Sequence, residues 1–253
     1  MTAPIALQLY TLRELAAQSF ENTVRKVADI GYVGVETAGF PNTTPEAAGR
    51  LFRELGLQVV GAHNPLPIGD RKNEVIESMQ AIGCTRIINP AFGADHYQSL
   101  SQIRRTCETF NEAAAVAVEH GMTLGIHNHW WEYQQVEQRY IYEVLLEHLD
   151  PAVFFEVDTY WVKVAGHDPA AVLRQLGSRA PLLHIKDGPA DNTQSPMVAV
   201  GAGIMDWRTI IPAGSAAEWL IVELDRCATD MLEAVENSYN FLIQEGFARG
   251  NKN

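Results

Sequence analysis

Apolar residues in this chain come in short runs, set between longer stretches where they recur every three or four positions. The runs are "IALQL" at 5–9, "GYVGVE" ending at 36, "LQVVGAH" at 57–63 and "RIINP" at 86–90, then "TLGIHNH" at 123–129, "VFFEVD" at 153–158, "LLHIKD" at 182–187 and "WLIVELD" at 219–225. Each is rich in Val, Ile, Leu or Phe, the pattern of strands buried on both faces. Between them the spacing predicts helices. In the clearest, 102–120, Ile103, Cys107, Phe110, Ala114 and Ala117 mark one face, and His120 with Gly121 forms the stop. Further helices are predicted around 45–55 before Gly56, over 74–82 before Gly83, and over 229–246.

Helix, glycine and strand follow one another repeatedly, as in "ADIGYVGVE", "RELGLQVV", "QAIGCTRII" and "VEHGMTLGI". Eight strands alternating with seven or eight helices predict an α/β fold with a parallel sheet. Eight such units in 253 residues match the size of a (β/α)8 TIM barrel. A doubly wound open sheet is the rival, but it would carry a glycine-rich phosphate turn after the first strand, and "LQLYTLRE" has none. No linker divides the chain, so residues 1–253 read as a single barrel domain. The longest stretch without a pattern, 187–206, is at that length a functional loop.

Composition narrows the function. Lys and Arg number 19 against 31 Asp and Glu, a formal charge of −12. Such a surface repels phosphate backbones and no basic run offsets it, so nucleic acid is not an expected partner. Cys84, Cys107 and Cys227 are widely spaced and odd in number, which fits reduced thiols, the first two in core packing. The start, "MTAPIALQLYTLRE", lacks a basic leader, and no apolar run approaches the roughly 18 residues of a membrane span. A cytoplasmic protein with no membrane partner is expected.

In a barrel, reactive side chains stand at the C-terminal ends of the strands. Here those ends offer Gln8, Tyr10, Glu36, His63, Asn64, Asn89, His127, Asn128, His129, Glu156, Asp158, His184, Lys186, Asp187, Glu223 and Asp225. Ionisable groups at the ends of buried strands are costly unless paired or bound to a cation. Asp158, His184 and Glu223, from three successive strands, form a nitrogen–oxygen set suited to one divalent metal ion. Mn, Co, Mg, Fe and Zn are not distinguished by it. The plainer readings are a turn cap for Asp158, core packing for His184, and an ion pair of Lys186 with Asp158 or Asp187. Glu156, one layer deeper on the same face as Asp158, reads as structural or as support for the ligands.

These segments, with "HNHWWEY" at 127–133, "FEVDTYW" and "GAGIMDW", resemble the xylose-isomerase-like TIM-barrel superfamily from about residue 5 to 245. The resemblance implies a sugar isomerase or epimerase with a metal held by Glu, Asp, His and Glu from four strand ends. The last three match Asp158, His184 and Glu223. Where many members read Glu-Asn-His on the fifth strand, this chain has His127-Asn128-His129. The missing position falls to Glu132, the first choice, or to His127, and a subgroup with His-Asn-His-x-x-Glu has the same pattern.

The implied chemistry is proton transfer beside a carbonyl through an enediolate. Glu223 and Glu132 are the acid–base pair, and Lys186 handles a proton or an oxyanion. His63, Asn89, His127, His129, Trp130 and Trp161 are candidate substrate-binding groups for a small sugar, with aromatic faces against its C–H faces. The same intermediate leads to a lyase or dehydratase acting on a keto-sugar or 3-keto-glycoside. Two other classes stay open: a sugar-binding barrel without activity, and an abasic-site endonuclease, which the charge opposes. Homo-oligomer formation through loops at the mouth is also left open.

Overall fold

Eight short strands pair in parallel in the order of the chain: β1 Ala3–Gln8, β2 Gly34–Thr37, β3 Gln58–His63, β4 Arg86–Asn89, β5 Thr123–His127, β6 Phe154–Asp158, β7 Leu182–Ile185 and β8 Trp219–Val222. Strand β8 returns to β1, with Leu7 opposite Val222, so the sheet closes into the expected barrel. The computed structural model describes residues 2–90 and 92–252. The outer layer consists of α1 Phe20–Ile30, α2 Pro45–Glu54, α3 Lys72–Ile82, α4 Leu100–Glu119, α5 Ile141–His148, α6 Pro169–Leu176, α7 Trp207–Ala213 and α8 Met231–Gln244. The helices predicted over 45–55, 74–82, 102–120 and 229–246 are α2, α3, α4 and α8, each within two residues at either end.

Local chemistry accounts for these limits. Ser19, Thr44, Ser99, Asp168, Asp206 and Asp230 each precede a helix and accept a backbone N–H from its first turn. At the other end, Gly83 and Gly121 take φ of +71° and +70°, which costs a glycine nothing. The expected core roles of Cys84 and Cys107 hold, since both are buried.

Two apolar layers result. The larger lies between barrel and helices and includes Leu7, Ile87, Leu124, Phe155, Val157, Leu183 and Val222. The smaller fills the barrel itself, with Ala6, Val60, Ile88, Phe154, Leu182, Trp219 and Ile221 in contact. Because side chains alternate along a strand, the second layer shares its face with the polar groups above it. On β6 that face runs Phe154, Glu156, Asp158; on β7 it runs Leu182, His184, then Lys186 just beyond. The lower interior is apolar, with the Arg86–Glu218 ion pair at the N-terminal ends of β4 and β8, and the carboxylates, imidazoles and Lys186 of the site sit above it toward the C-terminal end.

Registry sets the layers. Gln8 lies opposite Glu36, His127 opposite Glu156, and Asp158 opposite His184. The stretch 187–206 beyond β7 folds onto one buried side chain. Asp187 Oδ1 accepts from the backbone N–H of Gly188 and Met205, while Oδ2 accepts from Gly201 N–H and the Trp207 indole, both at 2.9 Å. Asp187 therefore organises the loop and is not a partner of Lys186.

Replacing Asp187 with Ala leaves those donors without a buried acceptor. The expected loss is on the order of 3 kcal/mol. Amide exchange at Gly201 and Met205 should rise well above that of the α4 core. Protection of both amides unchanged in the variant would remove Asp187 as the organiser of this loop.

Candidate active site at the barrel mouth

The deepest polar layer is a carboxylate–imidazole hub. Glu36 Oε2 accepts from Gln8 Nε2 at 2.7 Å and lies 2.7 Å from His184 Nε2 and 3.2 Å from His63 Nε2. Glu156 Oε2 lies 2.8 Å from His63 Nε2, 3.1 Å from His127 Nδ1 and 3.2 Å from His184 Nε2. Glu36 fits because residue 61, across from it on β3, is glycine. A Cβ there would meet Glu36 Oε1 at 2.5 Å and the Ile88 side chain at 2.4 Å.

One layer higher, the same two histidines present their other nitrogens. His184 Nδ1 lies 2.7 Å from Glu223 Oε2, and His127 Nε2 faces Asp158 Oδ2 at 3.9 Å. Candidate ligand atoms of His127, Asp158, His184 and Glu223 all lie within 4.8 Å of one another. Asp158 makes the turn cap of the plainer reading and keeps its second oxygen in the group that could hold an ion. Its Oδ1 accepts from the N–H of Tyr160 and Trp161 at 3.0 Å and caps the short helix Thr159–Val164, while its buried Oδ2 accepts no hydrogen bond. Lys186, only 1% exposed, places its ammonium 2.9 Å from that oxygen, 2.7 Å from Glu223 Oε2 and 2.7 Å from Asp225 Oδ2.

Above this layer opens a cavity of about 460 Å³, lined by Tyr10, His63, His127, His129, Trp161, Lys186, Glu223 and Asp225 among others. The His129 ring stacks on Trp131 at 4.1 Å, and Trp130 packs against Trp161 at 4.9 Å, so the aromatic wall is braced from behind. The sequence reading placed Glu132 at the metal and at the proton; the geometry puts it elsewhere. The turn Trp131–Tyr133 carries it out of the barrel interior, to line a small cavity with Tyr133, Tyr142, Leu145, Phe155 and Leu176. There its Oε2 accepts from the His129 N–H at 2.8 Å. His127 is the fourth member of the group that could hold an ion. Asn89 is buried, does not line the mouth cavity, and donates to the Asn64 carbonyl at 3.1 Å. Trp130 supports the wall without lining it.

Burial opposes every charge here, and the neighbours decide which survive. Burial alone would raise Glu36, but the facing His63 and His184 rings hold it well below the usual carboxylate range. By the same pairing, against the effect of burial, His63 is pushed up to about 10 and His184 well above its ordinary value. Burial wins at His127, which lies well below the usual imidazole value, and at His129, lowered to about 3 with help from Lys186. Burial raises Asp158 to about 6 against the pull of Lys186, and raises Glu132 to about 8. Neutral His127 with Nδ1–H donating to Glu156 leaves the Nε2 lone pair toward Asp158. That is the support by which a carboxylate orients a metal-binding imidazole.

The donor set fits a divalent cation. Two imidazoles and two carboxylates converge, the Asp158 Oδ2 oxygen is answered only by the Lys186 ammonium, and the histidines are oriented from beneath by Glu156 and Glu36; His184 would give up a proton to ligate. Sequence reasoning missed the depth of this support. In the sequence Gln8, Glu36 and Asp225 appear only as strand-end groups. The signal was present in the polar residue closing "IALQ" and in the Glu closing "GVE", both at interior-facing positions.

Comparison with known proteins agrees with this architecture. The family model described as xylose isomerase-like TIM barrel matches residues 24–242. A sugar phosphate isomerase/epimerase from Parabacteroides distasonis ATCC 8503 superposes with a TM-score of 0.82 at 22% identity, covering 98% of this chain and 96% of that one. L-ribulose 3-epimerase superposes at 0.73 and 17% identity, covering 97% and 94%. The probable 3-DHS dehydratase AsbF from Bacillus anthracis superposes at 0.74 and 15% identity, covering 95% and 98%. No curated protein matches the chain.

The raised Glu132 carboxyl makes a pH signature. Its stabilising effect, as the protonated acid, is complete below the ordinary carboxyl value and is lost as pH rises through about 8. Glu132→Gln keeps an acceptor for the His129 N–H and cannot ionise. The variant should gain in Tm over wild type between pH 5 and pH 9 as pH rises. A Tm difference that stays level across that range would place the Glu132 charge in water or beside a cation.

Proposed function

The chain belongs to the xylose isomerase-like TIM-barrel family, and on that footing we propose that it is a divalent-metal-dependent isomerase or epimerase of a small ketose or keto-sugar. The observation that carries this reading is the convergence of His127, Asp158, His184 and Glu223 from four successive strand ends beneath an aromatic-walled cavity. His127 Nε2, Asp158 Oδ2, His184 Nδ1 and Glu223 Oε2 would hold one ion. Such an ion supplies Lewis acidity to a carbonyl and an adjacent hydroxyl oxygen.

The protein groups divide the remaining work. Glu223, held well below the usual carboxylate range by Lys186 and His184 in spite of burial, is a carboxylate at the cavity floor and can take a proton from carbon. Lys186 stands beside it as a cation able to stabilise an oxygen that becomes anionic as the enediolate forms. Neutral His129 and the Trp161 face form the wall against which a sugar would lie. His63 closes the floor on the β3 side and can donate to a hydroxyl. The polar wall fits hydroxyl-rich ligands, and two structural neighbours bear isomerase and epimerase names.

A second reading rests on the position of Glu132. Epimerisation by opposed carboxylates requires a second acid–base carboxylate across the cavity from Glu223, and Glu132 is turned away. A lyase needs one base and a group that protonates a departing oxygen, for which Lys186 stands ready. One structural neighbour is named a probable dehydratase.

Purified protein stripped with chelator and titrated with Mn²⁺, Co²⁺ or Zn²⁺ should take up one ion per chain, and Asp158→Asn and His184→Ala should lose it. The loaded protein should exchange a carbon-bound hydrogen of a ketose with D2O, read by NMR. A product of unchanged molecular formula marks isomerisation or epimerisation, and loss of water or of a glycosidic alcohol marks the lyase. Glu223→Gln should lower exchange by about 10²- to 10⁴-fold. Glu36→Gln, acting through the His184 ring, should weaken ion binding by about 10- to 100-fold with no change in stoichiometry. Protein that binds none of these ions would sink the metal-dependent reading.

A further inference from the structure

We propose that the Lys186 ammonium is a resident cation of the metal-free site, beside the His184 ring, and that a divalent ion enters by exchange with it, moving Lys186 onto Asp225 at the mouth. This rests on the metal-dependent reading above and adds how that site is loaded. The Lys186 ammonium touches three carboxylate oxygens, Asp158 Oδ2, Glu223 Oε2 and Asp225 Oδ2, at 2.9, 2.7 and 2.7 Å. The first two are the oxygens that face His127 Nε2 and His184 Nδ1. An ammonium and a divalent ion sharing those two oxygens would repel each other at close range, so the ion displaces the ammonium from them.

The third oxygen differs from the other two. Asp225 is outside the group that could hold an ion, its side chain is 24% exposed, and it lines the mouth cavity. The hydrogen bond that Lys186 donates is directed to Asp225. The lysine therefore has a partner to keep while it leaves the other two. Its path follows the Trp161 ring, whose centre is 5.4 Å from Nζ. In the metal-free site the ammonium pairs with Asp158 and shares Glu223 with the His184 ring. After exchange it projects into the cavity, where a substrate oxygen would lie. Ion loading and delivery of Lys186 to substrate become one event, and a chain without metal keeps its lysine withdrawn.

Two measurements on the full chain test this. Mn²⁺ affinity, by calorimetry on chelator-stripped protein, should be at least tenfold tighter in Lys186→Met than in wild type, while Tm without metal should be lower. Independently, reductive methylation of wild type followed by mass spectrometry should spare Lys186 without metal and modify it with saturating Mn²⁺. Exposed Lys26 and Lys163 should react equally in both states. An affinity unchanged by the substitution, or equal modification of Lys186 in both states, overturns the exchange and leaves the metal site standing. Failure of both proteins to bind Mn²⁺, Co²⁺ or Zn²⁺ overturns the metal reading and the exchange with it. If the variant does not fold, the wild-type labelling decides alone.

Discussion

Taking an ionised carboxylate out of water costs several kcal/mol unless a cation or several hydrogen bonds replace the solvent. This barrel does so at Glu36, Glu156, Asp158 and Glu223, within one small volume. Three cations share them: His63 and His184 between the deeper pair, Lys186 between the upper pair and Asp225. Much of the surrounding structure serves this balance. Gln8 donates to Glu36, residue 61 has no side chain so that Glu36 fits, and Asn128 Oδ1 accepts from the Asp158 N–H at 2.9 Å.

The apolar layer beneath makes the balance stringent. Phe154, Leu182, Trp219 and Ile221 fill the barrel below the charges, so charge above them is answered by protein groups and by the mouth. A site of this kind favours electrostatic work, because its dipoles and charges are oriented before any ligand arrives. It also gives each histidine two duties. One nitrogen of His127 and of His184 faces the supporting carboxylates, and the other faces the candidate cation position.

The fold carries many chemistries, and function follows from the groups at the mouth. In this chain two of those groups matter most: imidazole stands at the fifth strand among the candidate ligating atoms, and a lysine is buried among the carboxylates. The first removes one negative charge from the candidate cation site. The second supplies a positive charge of the protein's own. Together they set a net charge near the mouth different from that of a site with two opposed glutamates.

Much of this was legible in the sequence because it is local. The two- and three-to-four-residue periods specify strand and helix, the glycine stops mark the connections, and eight units imply closure. Strand ends then name the candidate residues, and Asp158, His184, Lys186 and Glu223 do meet. The two-residue hairpin turn at Glu137–Gln138 was not legible, since both take positive φ without the Asn or Gly that announces such a turn. The choice between His127 and Glu132 belonged to the tertiary structure as well. His127 is the last residue of its strand, so the pleat aims it inward; Glu132 comes after a turn whose direction depends on what it packs against. The hub of Glu36, His63, Glu156 and His184 also required three dimensions. It joins four strands 27 or more residues apart in sequence, neighbours only through the register and closure of the barrel.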